Sequence, residues 1–204
     1  MKNTLLFTLT FISIFIGCST CTNNNQNTLI SETNKVYDSV IDSLLFKYDE
    51  KIYTPVIIRD NTTYIHEPPF YPFTFVDLQF FLLDSLIDFK TETEIKMNFL
   101  VNNNIVNDIS SYYKPDFDVL FLDSSSFYQL QGHDSFIYRN LYNKYPDSNG
   151  FLILSRVGFD SNYRYAIVYI GSHIQSLDGC GKFVFLVKNN DKWLIKNIEL
   201  LWVS

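Results

Sequence analysis

Alanine is almost missing from this chain: Ala166 is the only one in 204 residues. Glycine (7), proline (6), cysteine (3), histidine (3) and tryptophan (2) are scarce as well. Each shortage excludes something. No phosphate-cradling glycine loop and no Gly-x-Ser-x-Gly elbow occurs. Three cysteines are too few for a disulfide-dense scaffold. His66, His133 and His173 show no HxH or HxxxH spacing, so no bound metal is expected, and no cofactor motif appears. The formal charge is −6 and no run of Lys or Arg exists. Nucleic acid is therefore not an expected partner, because phosphate backbones need clustered cations. No apolar run reaches the roughly 20 residues of a bilayer-spanning helix.

What is plentiful is equally telling. Phe (19) and Tyr (14) abound, together with Asn, Ile and Lys. That bias is what an AT-rich genome imposes through its codons. The rings therefore read chiefly as core and surface filler, not as a dedicated glycan or interface surface.

The N-terminus says where the protein lives. Lys2 supplies a positive start and Leu5 to Ile16 form an apolar run of about a dozen residues, the length of a signal h-region. Phe15-Ile16-Gly17-Cys18 follows and resembles the lipobox of bacterial lipoproteins, with Phe15 where Leu is usual. The bulk of Phe15 also breaks the small-x-small pattern of an ordinary secretory cleavage site. The resemblance implies cleavage before Cys18 and a diacylglyceryl group on its sulfur. Removing Lys2 leaves 15 basic side chains against 22 acidic ones, a charge near −7. The expected partner is the lipid bilayer, and the expected place is the bacterial cell envelope, with an outer-membrane or periplasm-facing position favoured over the cytoplasm.

The domain reading follows: residues 1–17 a signal peptide, 18–30 a lipidated Cys and polar tether, 31–204 a single α+β domain. Cys18-Ser-Thr-Cys21 has CxxC spacing, but its first member is assigned to lipid. A Cys21–Cys180 disulfide stays open, since the envelope is oxidising and no spacing demands it.

Within the domain, Val36, Val40, Ile41, Leu44, Leu45 and Tyr48 recur at helical spacing and predict a helix over Glu32 to Lys47. Ile52 to Ile58, with Pro55, suits an edge strand. Pro68, Pro69 and Pro72 enforce an aromatic loop with Phe70, Tyr71 and Phe73, either a docking patch or a plug on the core. Val76 to Ile87 predicts a second helix. Thr91-Glu92-Thr93-Glu94 reads as a capping box opening a third, which Asn102-Asn103-Asn104 would end. Val119 to Leu122 reads as a strand, and Asp134 as the cap of a helix running to Lys144, stopped by Pro146. Phe151–Phe159, Arg164–Ile170, Lys182–Lys188 and Trp193–Trp202 then form an antiparallel meander separated by short turns. In the third run Phe183 and Phe185 face one way, Val184 and Leu186 the other, so that strand is central and covered on both sides. The fold class is α+β: N-terminal helices packed on a C-terminal antiparallel β-meander, with an NTF2-like cone one candidate.

Tyr145-Pro146, Gly150, Ser155-Arg156-Val157-Gly158-Phe159, Ala166-Ile167-Val168-Tyr169, Gly179-x-Gly181, Trp193 and Trp202-Val203-Ser204 resemble a pattern shared by uncharacterised bacterial envelope proteins. The resemblance covers about residues 140–204 and implies no reaction.

Three candidate chemistries stand out. In Gly171 to Gly181, read as a loop joining two central strands, Cys180 could be a nucleophile and His173 its base, which would make a hydrolase. The plainer reading gives Gly179 and Gly181 turn roles and buries the thiol. His66-Glu67 and His133-Asp134 are adjacent pairs whose members point apart in extended chain. Arg156 lies inside an apolar run and needs a carboxylate or a ring such as Tyr169; otherwise it is an anion ligand. The favoured function is a non-catalytic binding or interaction domain on a membrane anchor. The alternatives are the hydrolase and an immunity-type protein, the latter suggested by the acidic charge alone.

Overall fold

The computed structural model describes residues 25–44, 56–60, 87–131, 137–148, 150–175 and 178–203. The elements, in chain order, are α1 (25–44), β1 (Val56–Arg59), α2 (Phe89–Asn102), a 3-10 turn (Ile109–Ser111), β2 (Val119–Leu122), α3 (Ser124–Gln131) and α4 (Ile137–Lys144). Strands β3 (Phe151–Leu154), β4 (Gly158–Phe159), β5 (Tyr165–Gln175), β6 (Asp178–Asn189) and β7 (Lys192–Val203) follow. The α+β class expected from the sequence is what is found.

One seven-stranded sheet carries everything, ordered β2-β1-β3-β5-β6-β7, with β4 also paired to β5. The meander β5-β6-β7 is antiparallel, as its short turns require. Asn190 in the β6–β7 turn takes the left-handed conformation (φ 56°) that asparagine tolerates. The meander is only half of the sheet. β1 pairs in parallel with both β2 and β3, so the sheet is mixed. This corrects the edge-strand reading of Ile52 to Ile58: Val56–Arg59 is interior and buried along its length.

The period-2 alternation sorts each strand between two layers. Val56, Ile58, Leu152, Leu154, Ala166, Val168, Val184 and Leu186 face α1, which presents Val36, Tyr37, Val40 and Ile41. On the opposite face Ile167, Tyr169, Phe183 and Phe185 meet Ile95 and Phe99 of α2. Further along that face Ile57, Phe151 and Ile153 meet Phe127 and Leu130 of α3 and Leu141 of α4. Helices on both faces and the parallel pairs set this sheet apart from an antiparallel cone. The double coverage of β6 expected above is present.

Several boundaries move for identifiable reasons. α1 is already helical at residue 25, the first described residue, ahead of the expected Glu32, and 25–30 are helical instead of tether. Leu29 in this added stretch packs against the core. The N-cap of α2 is Asp88, whose carboxylate accepts the Thr91 N–H at 3.0 Å and the Thr91 hydroxyl at 2.8 Å. Thr91 is thus three residues inside the helix, and the cap is an acid instead of the expected hydroxyl. Gly158 is required by α2: a Cβ there would stand 2.6 Å from Phe99 Cβ and 2.7 Å from the Phe99 backbone. The aromatic loop 68–73, the 76–86 part of the second predicted helix, and the His66-Glu67 and His133-Asp134 pairs lie outside the described residues.

A buried acid fixes α1 to the meander. Glu32 accepts from Lys188 at 2.8 Å, Lys35 at 3.2 Å and the Trp193 indole at 2.9 Å. Burial pushes its carboxyl up, but these three donors together hold it below the ordinary value.

Candidate functional site

The predicted run Phe151–Phe159 is broken where the chemistry lies. β3 pairs with β5 through Leu154↔Ile170, and β4 resumes at Gly158↔Ile167. Residues 155–157 between them leave the ladder. Ser155 bridges the gap: its hydroxyl accepts the Tyr169 N–H at 2.8 Å while its own N–H donates to the Tyr169 carbonyl at 3.0 Å. The detour carries Arg156 off the sheet.

Asn103 catches it there. Asn103 ends α2 and is fully buried. Its Oδ1 accepts the Arg156 N–H at 2.7 Å, and its Nδ2 donates to the Arg156 carbonyl at 3.0 Å and the Phe99 carbonyl at 2.8 Å. The amide thus grips the backbone of Arg156 from both sides, as a neighbouring strand would, and orients its Cα. Next to it Asn102 Nδ2 donates to the Val157 carbonyl at 3.0 Å. The end of α2 is therefore laced to the strand break.

The half-buried Arg156 side chain lines a cavity of about 320 Å³. Gln26, Ile30 and Thr33 of α1 form one wall; Asn102, Asn107, Ser111 and Tyr112 contribute the other. Neither an ion pair nor a ring contact of Arg156 occurs among the described residues. Of the two readings of Arg156, the carboxylate-or-ring partner is not found. Tyr169, the ring considered for it, instead accepts from the Trp202 indole at 3.2 Å.

The hydroxyls beside the guanidinium have a fixed sense. Tyr37 donates its single proton to the Ser155 carbonyl at 2.8 Å. In the 3.3 Å contact between Tyr37 and Tyr112 hydroxyls, Tyr112 must then be the donor. Burial raises both phenols, against the smaller downward pull of Arg156, so both stay neutral. Arg156 offers up to five N–H donors. A cation held in partly dry surroundings with no ion-pair partner among the described residues favours an anion, and the guanidinium fork matches carboxylate or phosphate oxygens.

The Gly171 to Gly181 stretch is not a loop. β5 and β6 run through it, pairing Gly171↔Gly181, Ser172↔Cys180 and His173↔Gly179. Cys180 therefore shares a face with Ser172, and His173 shares the other with Gly179, so the thiol and the imidazole are not brought together. The His173 ring stacks on Phe151 (4.9 Å, 11°) and leans on Trp202 (5.2 Å). Burial pulls its pKa down to about 4, which keeps the ring uncharged at neutral pH and unable to stabilise a thiolate. Gly181 serves packing, not a turn: a Cβ there would meet Trp202 Nε1 at 2.0 Å. Cys180 is free among the described residues, and Cys18 and Cys21 lie outside them. No group of three metal-ligating side chains occurs among the described residues.

Sequence reasoning singled out Arg156 but missed Tyr112, Tyr37, Asn103 and the first turns of α1. Only the asparagine run at 102–104 carried a signal, and it was a signal for a helix end. No family model, no curated protein and no solved structure matches this chain, so the site stands on its own geometry.

Proposed function

We propose that this chain is an envelope lipoprotein, held at a membrane by acyl chains on Cys18. Its α+β domain is then a non-catalytic binding module for a small ligand bearing a carboxylate or phosphate. The observation that carries the ligand class is the Arg156 guanidinium, which has no acidic ion-pair partner among the described residues and lines a cavity of about 320 Å³. That volume suits a metabolite-sized molecule. The side-chain amides and hydroxyls of Gln26, Thr33, Asn102, Asn107 and Ser111 in the cavity lining supply orientation. The anchor is supported by the lipobox-like Phe15-Ile16-Gly17-Cys18 and by the short apolar run before it.

The ligand reading is tested by thermal unfolding of the full chain with inorganic phosphate and with succinate. A ligand at one hundred times its Kd stabilises by about 2.7 kcal/mol. At 2–4 °C per kcal/mol for a domain this size, the midpoint rises by roughly 5–10 °C. Arg156→Gln should keep the unliganded midpoint and lose the rise. An equal rise in the variant, or none with either anion in the wild type, refutes the site. The anchor is tested by labelled palmitate, which Cys18→Ser should cease to incorporate.

A further inference from the structure

Exposed apolar side chains lie along β7 (Leu194, Ile198, Leu200, Val203), singly at Phe89 and Tyr128, and as a group at the end of α2. Met97 (48%), Val101 (66%), Ile105 (65%) and Val106 (43%) are exposed within ten residues at the end of α2 and in the turn after it. Met97 and Val101 are four apart and share one helix face, the side away from the buried Ile95 and Phe99. Scattered exposed apolar residues are ordinary, but a contiguous patch marks a contact surface. The surrounding sequence is unusual too. From Met97 to Asn107 there is no charged residue, and the polar members are all asparagine. Such a surface can enter a headgroup layer without desolvating an ion.

The same corner holds the first described residues of α1. Gln26 lines the cavity together with Asn102 and Asn107, residues that flank Val101, Ile105 and Val106. Six residues separate Cys18 from residue 25, the first described residue of α1. Seven Cα steps span at most about 25 Å even when fully extended. If Cys18 bears acyl chains, the corner of the domain that holds residue 25 cannot move farther than that from the bilayer. A tether this short selects which face meets the lipid, and the face it presents is the uncharged apolar one.

We infer that the Met97–Asn107 corner docks on the bilayer surface beside the acyl anchor, with Val101, Ile105 and Val106 entering the interfacial layer. The anchor then does more than retain the protein: with this second contact it fixes the orientation of the domain. The occupant is lipid, because the short span from Cys18 brings lipid to this corner and because the patch carries no charge for a protein partner to read. This inference rests on the lipoprotein reading given above.

The test uses the full chain, purified from bacterial membranes with its acyl chains and reconstituted into phosphatidylethanolamine–phosphatidylglycerol vesicles. In a Cys21→Ser, Cys180→Ser background, an NBD fluorophore is attached at Val106→Cys or, as control, at Asn143→Cys on exposed α4. Doxyl-labelled lipid should quench the reporter at 106 at least twofold more than the reporter at 143. Equal quenching at the two sites overturns the docking. Emission at 106 that is blue-shifted yet unquenched assigns the patch to protein and also overturns it. Palmitate labelling of the same preparation separates the two ideas. Labelled protein with an unquenched reporter refutes the orientation alone, whereas protein without palmitate refutes the anchor and the orientation with it.

Discussion

Asn103 offers the sharpest test of how the site is built. It is fully buried, and its amide makes three hydrogen bonds, two of them to the backbone of Arg156. Each such bond contributes about 1 kcal/mol net. Asn103→Ala removes all three and leaves the Arg156 N–H and carbonyl without that partner. The expected loss is about 3 kcal/mol, or roughly 6–12 °C in the melting midpoint. The variant should also lose the phosphate-induced rise, because Arg156 is no longer held toward the cavity. Asn103→Asp refines the argument. It keeps the acceptor for the Arg156 N–H but turns a lone pair toward the Phe99 and Arg156 carbonyls, where Nδ2 donated. At neutral pH it should be at least as damaging as the alanine change. A carboxyl in that setting has its folded pKa raised above the unfolded value of about 3.9, since only its protonated form donates. The variant's deficit relative to wild type should therefore be small below that value and grow as pH rises through the folded pKa. Urea unfolding followed by circular dichroism, with wild type at every pH, reads this directly. A loss under about 0.5 kcal/mol for the alanine variant, or a deficit for the aspartate variant that ignores pH, would refute the clamp.

Three other outcomes are expected. Ala166→Asp places a carboxylate at a fully buried position between β5 and α1 and should cost about 4 kcal/mol or more; a melting shift within error would deny that burial. His173, with its pKa near 4 against 6.5 unfolded, binds fewer protons folded than unfolded, so stability should fall by roughly 3 kcal/mol as pH drops from 6.5 to 4. His173→Phe keeps the stack on Phe151 and should remove that part of the slope; an unchanged pH profile contradicts the burial of the ring. Gly181→Ala should push the Trp202 indole off its seat and away from the Tyr169 hydroxyl, at a cost of about 1–2 kcal/mol. Red-shifted tryptophan emission is the readout, and an unshifted spectrum would count against the contact.

Much of the fold could be read from residue order because the signals are local. Alternation in Phe183–Val187 announced a strand covered on both faces, and the structure sets α1 on one side and α2 on the other. Asn102-Asn103-Asn104 announced the end of α2, and Asn103 is its C-cap. Misreadings came where a distant partner decides. Val56–Arg59 looked like an edge because Pro55 precedes it, yet β2 and β3 arrive from far along the chain and enclose it. Gly171 to Gly181 looked like a loop because glycines and polar residues interrupt the apolar run. The ladder nevertheless continues through it, with the Trp202 ring lying over Gly181 and leaning on His173.

The sequence by itself determined the class of fold and the order and faces of the meander, through periodicity and turn chemistry, which act between residues a few positions apart. It also marked Arg156 as a cation that needs a partner. The tertiary structure alone decided that this partner is not a side chain of the described domain. Ser155 lets the strand break, Asn103 grips the exposed backbone, and α1 closes a polar cavity over the guanidinium. The Asn103–Arg156 and Tyr37–Ser155 contacts span 53 and 118 positions in the chain, and nothing in a local pattern encodes them.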